Sequence, residues 1–265
     1  MTKLVAAIDP QPTDRILEIG PGRGALTVPL AARVDRLLAV EIDRDLAAAL
    51  SARDLAGVRV VTADILDVDL DQLVQDHLTE SISNRGAVAP RVRLVGNLPY
   101  YITSPILFRL IEAARHGQLF DATLIMQKEV ADRLAASPGT REYCSLTLGV
   151  ALGAEVSTLL NLPAGAFRPP PQVRSAVVRL SFRPAPSDIR NPELVTVVVR
   201  SVFTQRRKTL ANALTPLVQA KGLTARDVLA RAGIDAGRRA ETLSLHEFGR
   251  LAEAISEAHP APGAA

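Results

Sequence analysis

The stretch NLPYYITSP, Asn97 to Pro105, places an amide, a proline and two of the chain's three tyrosines directly after the apolar run VRLVG. The side-chain oxygen of Asn97 and the peptide carbonyl of Leu98 can accept the two hydrogens of an amino group. Pro99 holds that carbonyl in extended backbone, because the residue before a proline is kept out of the helical region. Tyr100 adds a flat face on which an aromatic ring can stack. The set suits an amino nitrogen whose lone pair is delocalised into a ring. Such a nitrogen is a poor nucleophile, and what it needs from a protein is positioning.

Earlier in the chain, EIGPGRG (Glu18 to Gly24) stands between a predicted strand and a predicted helix, where glycines let backbone amides approach a ligand at the helix N-terminus. The spacing of Gly20, Gly22 and Gly24 is E-x-G-x-G-x-G and departs from the dinucleotide pattern G-x-G-x-x-G. Glu41 closes LLAVEID, about 20 residues after the glycines, where one carboxylate can accept from two vicinal ribose hydroxyls. Asp64 closes VVTADIL; its carboxylate can accept from an adenine amino group while the N–H of Ile65 donates to the ring. A glycine-rich turn alone also serves simply to tighten a strand-to-helix connection, and either acid alone reads as an ordinary strand-end surface residue. Three successive strand ends, each with a suitable group, are harder to dismiss.

These groups need a scaffold, and the first two thirds of the chain supply its rhythm. RILEIG, RLLAVEI, VRVVTAD, VRLVGN and ATLIMQ alternate with helical stretches, and RSAVVRLSF follows as a late strand. Alternation of this kind predicts an α/β fold, a Rossmann-like parallel sheet with helices on both faces. The polar stretch HLTESISNRGAVAPR reads as a surface loop. FRPAPSDIRNP, with three prolines, marks a domain boundary. The division is then 1–183 for a ligand-binding catalytic domain, 184–256 for a small all-helical domain with stops at Gly222 and Gly233, and 257–265 for a disordered tail.

Net charge is +3, yet between Arg200 and Arg250 ten Lys or Arg stand against four Asp or Glu, a local +6 that leaves −3 for the remainder. The basic cluster QRRK (Gln205 to Lys208) fits a polyanion partner as well as a solvated helix surface. Apolar runs stop well short of the about 18 residues a membrane span needs, and the N-terminus has no signal-peptide pattern, so a cytoplasmic location is expected. Cys144 is the single cysteine and cannot form an intramolecular disulfide. His77, His116, His246 and His259 are scattered, and the positioning chemistry above requires no metal.

The E-x-G-x-G-x-G spacing resembles that of class I methyltransferases, which use S-adenosylmethionine, and N-x-P-Y after a fourth strand resembles their amino-directed branch. NLPYYITSPILF, QKEVADRL, AFRPPPQVRSAVVRL, FTQRRKTLANAL and RAETLS together resemble the KsgA-type small-subunit rRNA adenine dimethyltransferases, nearly end to end. The resemblance implies Glu18, Gly20, Gly22, Gly24, Glu41, Asp64, Ile65 and Asn97 at the cofactor. It also implies Phe167 opposite Tyr100 as a clamp on a flipped-out adenine, where loop packing would otherwise be the ordinary reading of Phe167. It implies transfer of two methyl groups to N6 of each of two adjacent adenosines near the 3′ end of small-subunit rRNA, by a monomer acting on a precursor 30S particle. Arg206, Arg207, Lys208 and Asn212, read as one helical turn and the next, would contact RNA phosphates, with Arg207 or Arg239 alternatively spent on salt bridges.

Relatives carry a G-Q-x-F-L segment ahead of the first strand, whereas here a short helical stretch and PQPTD precede RILEIG. This implies weaker cofactor binding than in a chain extended upstream. Cys144 stands where relatives place glycine. Two other functions keep a place beside the favoured one: a large-subunit rRNA methyltransferase conferring antibiotic resistance, and a non-catalytic ribosome-assembly checkpoint.

Overall fold

A computed structural model describes residues 1–78, 91–99, 102–117, 119–166 and 172–258. The chain divides into two compact units, one formed by Met1–Ala131 and Ala154–Arg183, the other by Asp132–Gly153 and Pro184–Ala265. Among the described residues no helix is long and apolar enough to cross a membrane.

The first unit is built on seven strands: β1 (Arg15–Ile19), β2 (Arg36–Glu41), β3 (Val58–Thr62), β4 (Val92–Asn97), β5 (Leu119–Gln127), β6 (Ala154–Leu162) and β7 (Ser175–Phe182), in the order β3-β2-β1-β4-β5-β7-β6. β1 to β5 run parallel, and β7 is antiparallel to both β5 and β6. The central strands are continuous apolar runs because helices cover both faces of a parallel sheet; Ile16, Leu17, Leu38, Leu94 and Val95 are fully buried. Helices α1 (Thr2–Ile8), α2 (Thr27–Ala31), α3 (Arg44–Ser51), α4 (Leu70–Leu78) and α5 (Thr103–Arg115) belong to this unit. Leu4, Val5 and Ile8 of α1 join Leu30, Leu37 and Leu50 in one apolar cluster. β6 is a strand that the sequence pattern did not reveal. It is an edge strand, alternately half-buried and exposed, so AEVSTLLNL lacks the run of buried β-branched residues that marks its neighbours.

A buried ion network lies at the amino ends of the parallel strands. The five N–H groups of Arg93 on β4 are all engaged: two with the Asp121 carboxylate at 2.9 and 2.8 Å, one with Asp14 at 3.0 Å, and two with the carbonyls of Ile8 and Asp9 at 2.8 and 2.9 Å. Arg179 on β7 donates to the carbonyls of Ala7 and Ile8. Two cations thus cap the carboxyl end of α1, where the helix dipole favours positive charge.

The second unit contains α7 (Ser145–Ala151), α8 (Pro192–Phe203), α9 (Leu210–Gln219), α10 (Ala225–Arg231) and α11 (Leu245–Ala258), and α6 (Lys128–Leu134) runs into it from the first unit. Its core draws Tyr143, Leu148 and Leu152 together with Val195, Val198, Leu210, Leu214, Phe248 and Leu251. Tyr143 donates from its hydroxyl to the carbonyl of Leu243, 2.9 Å away. Nothing in the sequence rhythm marked Asp132–Gly153 as packing with the later helices. α11 opens with a reciprocal cap, in which Glu247 accepts from the Ser244 amide at 2.8 Å and Ser244 accepts from the Glu247 amide at 3.2 Å. Glu257 and Ala258, read from the sequence with the tail, form the end of this helix, and residues 259–265 lie outside the described residues.

Candidate active site at the carboxyl ends of the strands

The strand order reverses between β1 and β4, and in an open α/β sheet a crevice forms outside the carboxyl ends at such a switch point. Ile19 pairs with Gly96 on one side and with Val40 on the other, and Glu41 pairs with Thr62. Glu41 and Asn97 therefore end, and Gly20 and Asp64 follow, four adjacent strands. Three inter-strand spacings of about 4.8 Å separate β3 from β4 along this edge, roughly 14 Å in all.

The glycine loop is shaped by its own backbone and by Glu41. Gly20, Gly22 and Gly24 have φ of 64, 55 and 75°, in the left-handed region where a side chain is strained. A Cβ built on Gly24 would lie 2.7 Å from Cδ1 of Leu50, whereas one built on Gly22 would meet nothing within 4 Å. A side chain at Gly24 would have to displace Leu50, whereas Gly22 faces open space. One built on Gly20 would lie 3.9 Å from the carbonyl oxygen of Asn97, which sets the loop directly beside the NLP segment.

Glu41 is buried, with one carboxylate oxygen accepting from the Gly22 amide at 2.9 Å and the other from the Asp43 amide at 3.1 Å. The sequence suggested ribose recognition for this acid and gave no sign that it also ties β2 to the glycine loop. Asp64 is half-buried and accepts from the Leu66 amide at 2.8 Å, and Ile65 is buried beside it.

Glu18, the penultimate residue of β1, is 2% exposed, and its Oε2 has no hydrogen-bond partner among the described residues. Burial pushes its carboxyl up to about 7, with Thr27 nearby opposing the rise and the charge of Glu41 adding to it. Thr27 is fully buried in the first turn of α2, and its Oγ1 falls outside hydrogen-bonding geometry with any described group. The sequence reading passed over Thr27, although a hydroxyl three residues after Gly24 at a helix start was the available signal.

Asn97 ends β4 in register with Ile125, and its side chain is exposed. Leu98 is buried, and its amide donates to the carbonyl of Ile125 at 3.0 Å. Thr103 and Ile102 both bond to the carbonyl of Pro99, which ties the start of α5 to the NLP segment. Tyr100 and Phe167 lie outside the described residues.

The basic residues depart from expectation. Arg206, Arg207 and Lys208 do not form a turn of helix; they lie in the connection between α8, which ends at Phe203, and α9, which starts at Leu210. The run TQRRKT offers no apolar residue to a helix face, and the Leu210 amide is held by the carbonyl of Arg238 at 2.6 Å. Arg206 is engaged within the unit, its Nε with Glu241 at 3.1 Å and its Nη2 with the carbonyl of Arg141 at 2.7 Å. Arg207, Lys208 and Asn212 are exposed.

The model of a protein family described as ribosomal RNA adenine dimethylase matches residues 1–257. The ribosomal RNA small subunit methyltransferase A of Pelotomaculum thermopropionicum is 44% identical over 260 residues, 97% of this chain and 86% of that protein. Its counterpart from Acinetobacter baylyi is 41% identical over 256 residues, 96% and 86% of the two chains. Among solved structures, a dimethyladenosine transferase from Plasmodium falciparum has a TM-score of 0.76 at 24% identity, covering 94% of this chain and 92% of that one. The 23S rRNA methyltransferase ErmE has a TM-score of 0.66 at 25% identity, over 96% and 97%. The seven-stranded sheet with β7 antiparallel is that of the class I methyltransferases, and with a family match that spans almost its entire length this chain belongs to the ribosomal RNA adenine dimethylases.

Proposed function

We infer that the protein is an S-adenosylmethionine-dependent methyltransferase that converts adenosines of small-subunit (16S) rRNA to N6,N6-dimethyladenosine during ribosome biogenesis. The supporting observation is the adjacency of four strand ends: a glycine loop, two acids, and an Asn97 carbonyl within van der Waals reach of where a Gly20 side chain would be. The small-subunit relatives at 41–44% identity favour this over a large-subunit substrate, since ErmE reaches 25%.

The residues present suit S-adenosylmethionine. Open space above Gly22 leaves room for backbone approach, and the unpartnered Oε2 of Glu18 is an acceptor awaiting a donor. Asp64 and the Ile65 amide would take the adenine and Glu41 the ribose. Ribose hydroxyls reaching Glu41 would share a carboxylate that already holds Gly22. The cofactor supplies a methyl group activated by its sulfonium.

At the other side of the loop, the amide oxygen of Asn97 and the carbonyl of Leu98 would accept the two N6 hydrogens and turn the nitrogen lone pair toward the cofactor. Pro99 fixes that carbonyl, and its own carbonyl is held by Thr103. Tyr100 and Phe167 would clamp the extruded adenine, returning in stacking the few kcal/mol spent on unstacking it. The nitrogen sheds its proton to water after transfer, so no strong base is needed. Arg207, Lys208 and Asn212 would hold phosphates of the precursor 30S particle, with the protein acting as a cytoplasmic monomer. Mass spectrometry of rRNA nucleosides, after the protein is incubated with S-adenosylmethionine and unmethylated small subunits, tests the reading. Dimethyladenosine should appear in small-subunit rRNA, and its absence there alongside its appearance in large-subunit rRNA would reassign the substrate.

A further inference from the structure

Two carboxylates stand at the cofactor edge, and they are treated differently by the fold. Both oxygens of Glu41 are satisfied by backbone amides. Glu18, one strand away, is 2% exposed with Oε2 lacking a partner; the Thr27 hydroxyl lies near enough to oppose the rise of its carboxyl but falls short of hydrogen-bonding geometry. A buried carboxylate without a donor is costly, and a fold keeps such a group either as the neutral acid or in wait for a cation. Placed directly before the glycine loop, Glu18 meets both conditions in turn.

We propose that cofactor binding is coupled to proton release from Glu18: the side chain is a neutral acid before the cofactor binds, and a carboxylate once the cofactor's ammonium donates to its free oxygen. This rests on the S-adenosylmethionine reading above. The ammonium is the donor the site calls for, because a neutral hydroxyl or amine could satisfy the oxygen without ionising the acid. The proton that leaves Glu18 passes to the solvent, and no other group changes its charge.

The surroundings agree. Glu41 on β2 is the charged neighbour whose field reaches Glu18, and it opposes ionisation until a cation arrives. Arg53, beyond α3, lies at Gly24, with its Nη1 3.4 Å from the built Cβ position. α4, which packs against β1, carries Asp71, Asp76 and His77. The carboxyl of Glu18 is pushed up to about 7 by burial, which favours the neutral acid on the acidic side of neutrality.

Isothermal calorimetry with S-adenosylhomocysteine, in buffers of different ionisation heat, reads the proton count directly. This probe keeps the ammonium, and α-amino groups titrate near 8, so the ligand stays charged between pH 6 and 7. Protons should be released on binding at pH 6.0, and fewer should be released as the pH rises through 7. Glu18→Gln should bind with release near zero throughout. Wild-type binding without release at pH 6.0 overturns the proposal, and this result needs no folded variant. Undiminished release in Glu18→Gln overturns it too. Failure of the wild type to bind the probe at all overturns the cofactor reading, and the proposal with it, so the two failures are told apart.

Discussion

Gly22 and Gly24 share a loop and a backbone region, but alanine should harm the protein differently at each. At Gly22 the added methyl meets nothing within 4 Å, so the cost is that of a left-handed residue with a side chain, about 1–2 kcal/mol, less about 0.4–1 kcal/mol from a stiffer unfolded chain. Net loss is about 1 kcal/mol, or roughly 2–4 °C in Tm for a chain of this size. At Gly24 the same backbone cost is joined by a 2.7 Å contact with Cδ1 of Leu50, itself buried in the apolar cluster. Overpacking adds about 1–3 kcal/mol, so Tm should fall by roughly 4–16 °C. Cofactor affinity should run the other way. The Gly22→Ala methyl projects into the open space a ligand would use and should weaken S-adenosylmethionine binding at least about tenfold, which is 1.4 kcal/mol. Gly24→Ala that remains folded should bind within about threefold of the parent. Differential scanning fluorimetry and calorimetry measure both quantities on the same samples. A Gly22→Ala protein that binds like wild type, or a Gly24→Ala protein no less stable than Gly22→Ala, would refute this division of labour.

Asp121→Ala removes two of the five partners of Arg93 and leaves a buried guanidinium with Asp14 and two carbonyls; breaking buried pairs costs about 3–5 kcal/mol, and the surviving partners bring this to about 2–3 kcal/mol, seen as a lower Tm and faster amide exchange in α1. The hydrogen bonds from Arg238 hold the Glu247 carboxyl down to about 2, with the Ser244 amide and hydroxyl assisting. Because the folded value lies below the unfolded 4.5, this stabilisation, about 1 kcal/mol once solvent screening is allowed for, is complete above pH 4.5 and is lost as pH falls toward 2, so Arg238→Ala should flatten the acid limb of a stability profile followed by circular dichroism. Asn97→Ala should lower single-turnover methylation at saturating cofactor by about 100-fold or more, and particle binding that persists in this variant would separate an assembly role from catalysis.

The candidate site was legible because parallel strands are written as buried apolar runs, and whatever follows each run must emerge along one edge. EIGPGRG, LLAVEID, VVTADIL and VRLVGNLP therefore announced their neighbourhood before any coordinates. The pairings that tune the site were not legible. Glu41 reaches the Gly22 amide across 19 residues, and Arg93 finds Asp121, Asp14 and Asp9 at separations of 28, 79 and 84. No local pattern encodes such a partner; it follows only from strand order. β6 escaped because an edge strand needs no buried run. The QRRK segment misled because spacing alone extended a helix through six polar residues that have no core to face.

The chain passes between its two compact units after Ala131, after Gly153 and again after Arg183. A polypeptide leaving the ribosome must therefore hold Tyr143, Leu148 and Leu152 in readiness until Val195, Leu214 and Phe248 have been synthesised. Cutting at Arg183 yields no tidy catalytic fragment, because it strips those three side chains of their cover and leaves an adhesive patch. Anyone exchanging the terminal helices between relatives should move residues 132–153 with them, for the two stretches pack as one unit.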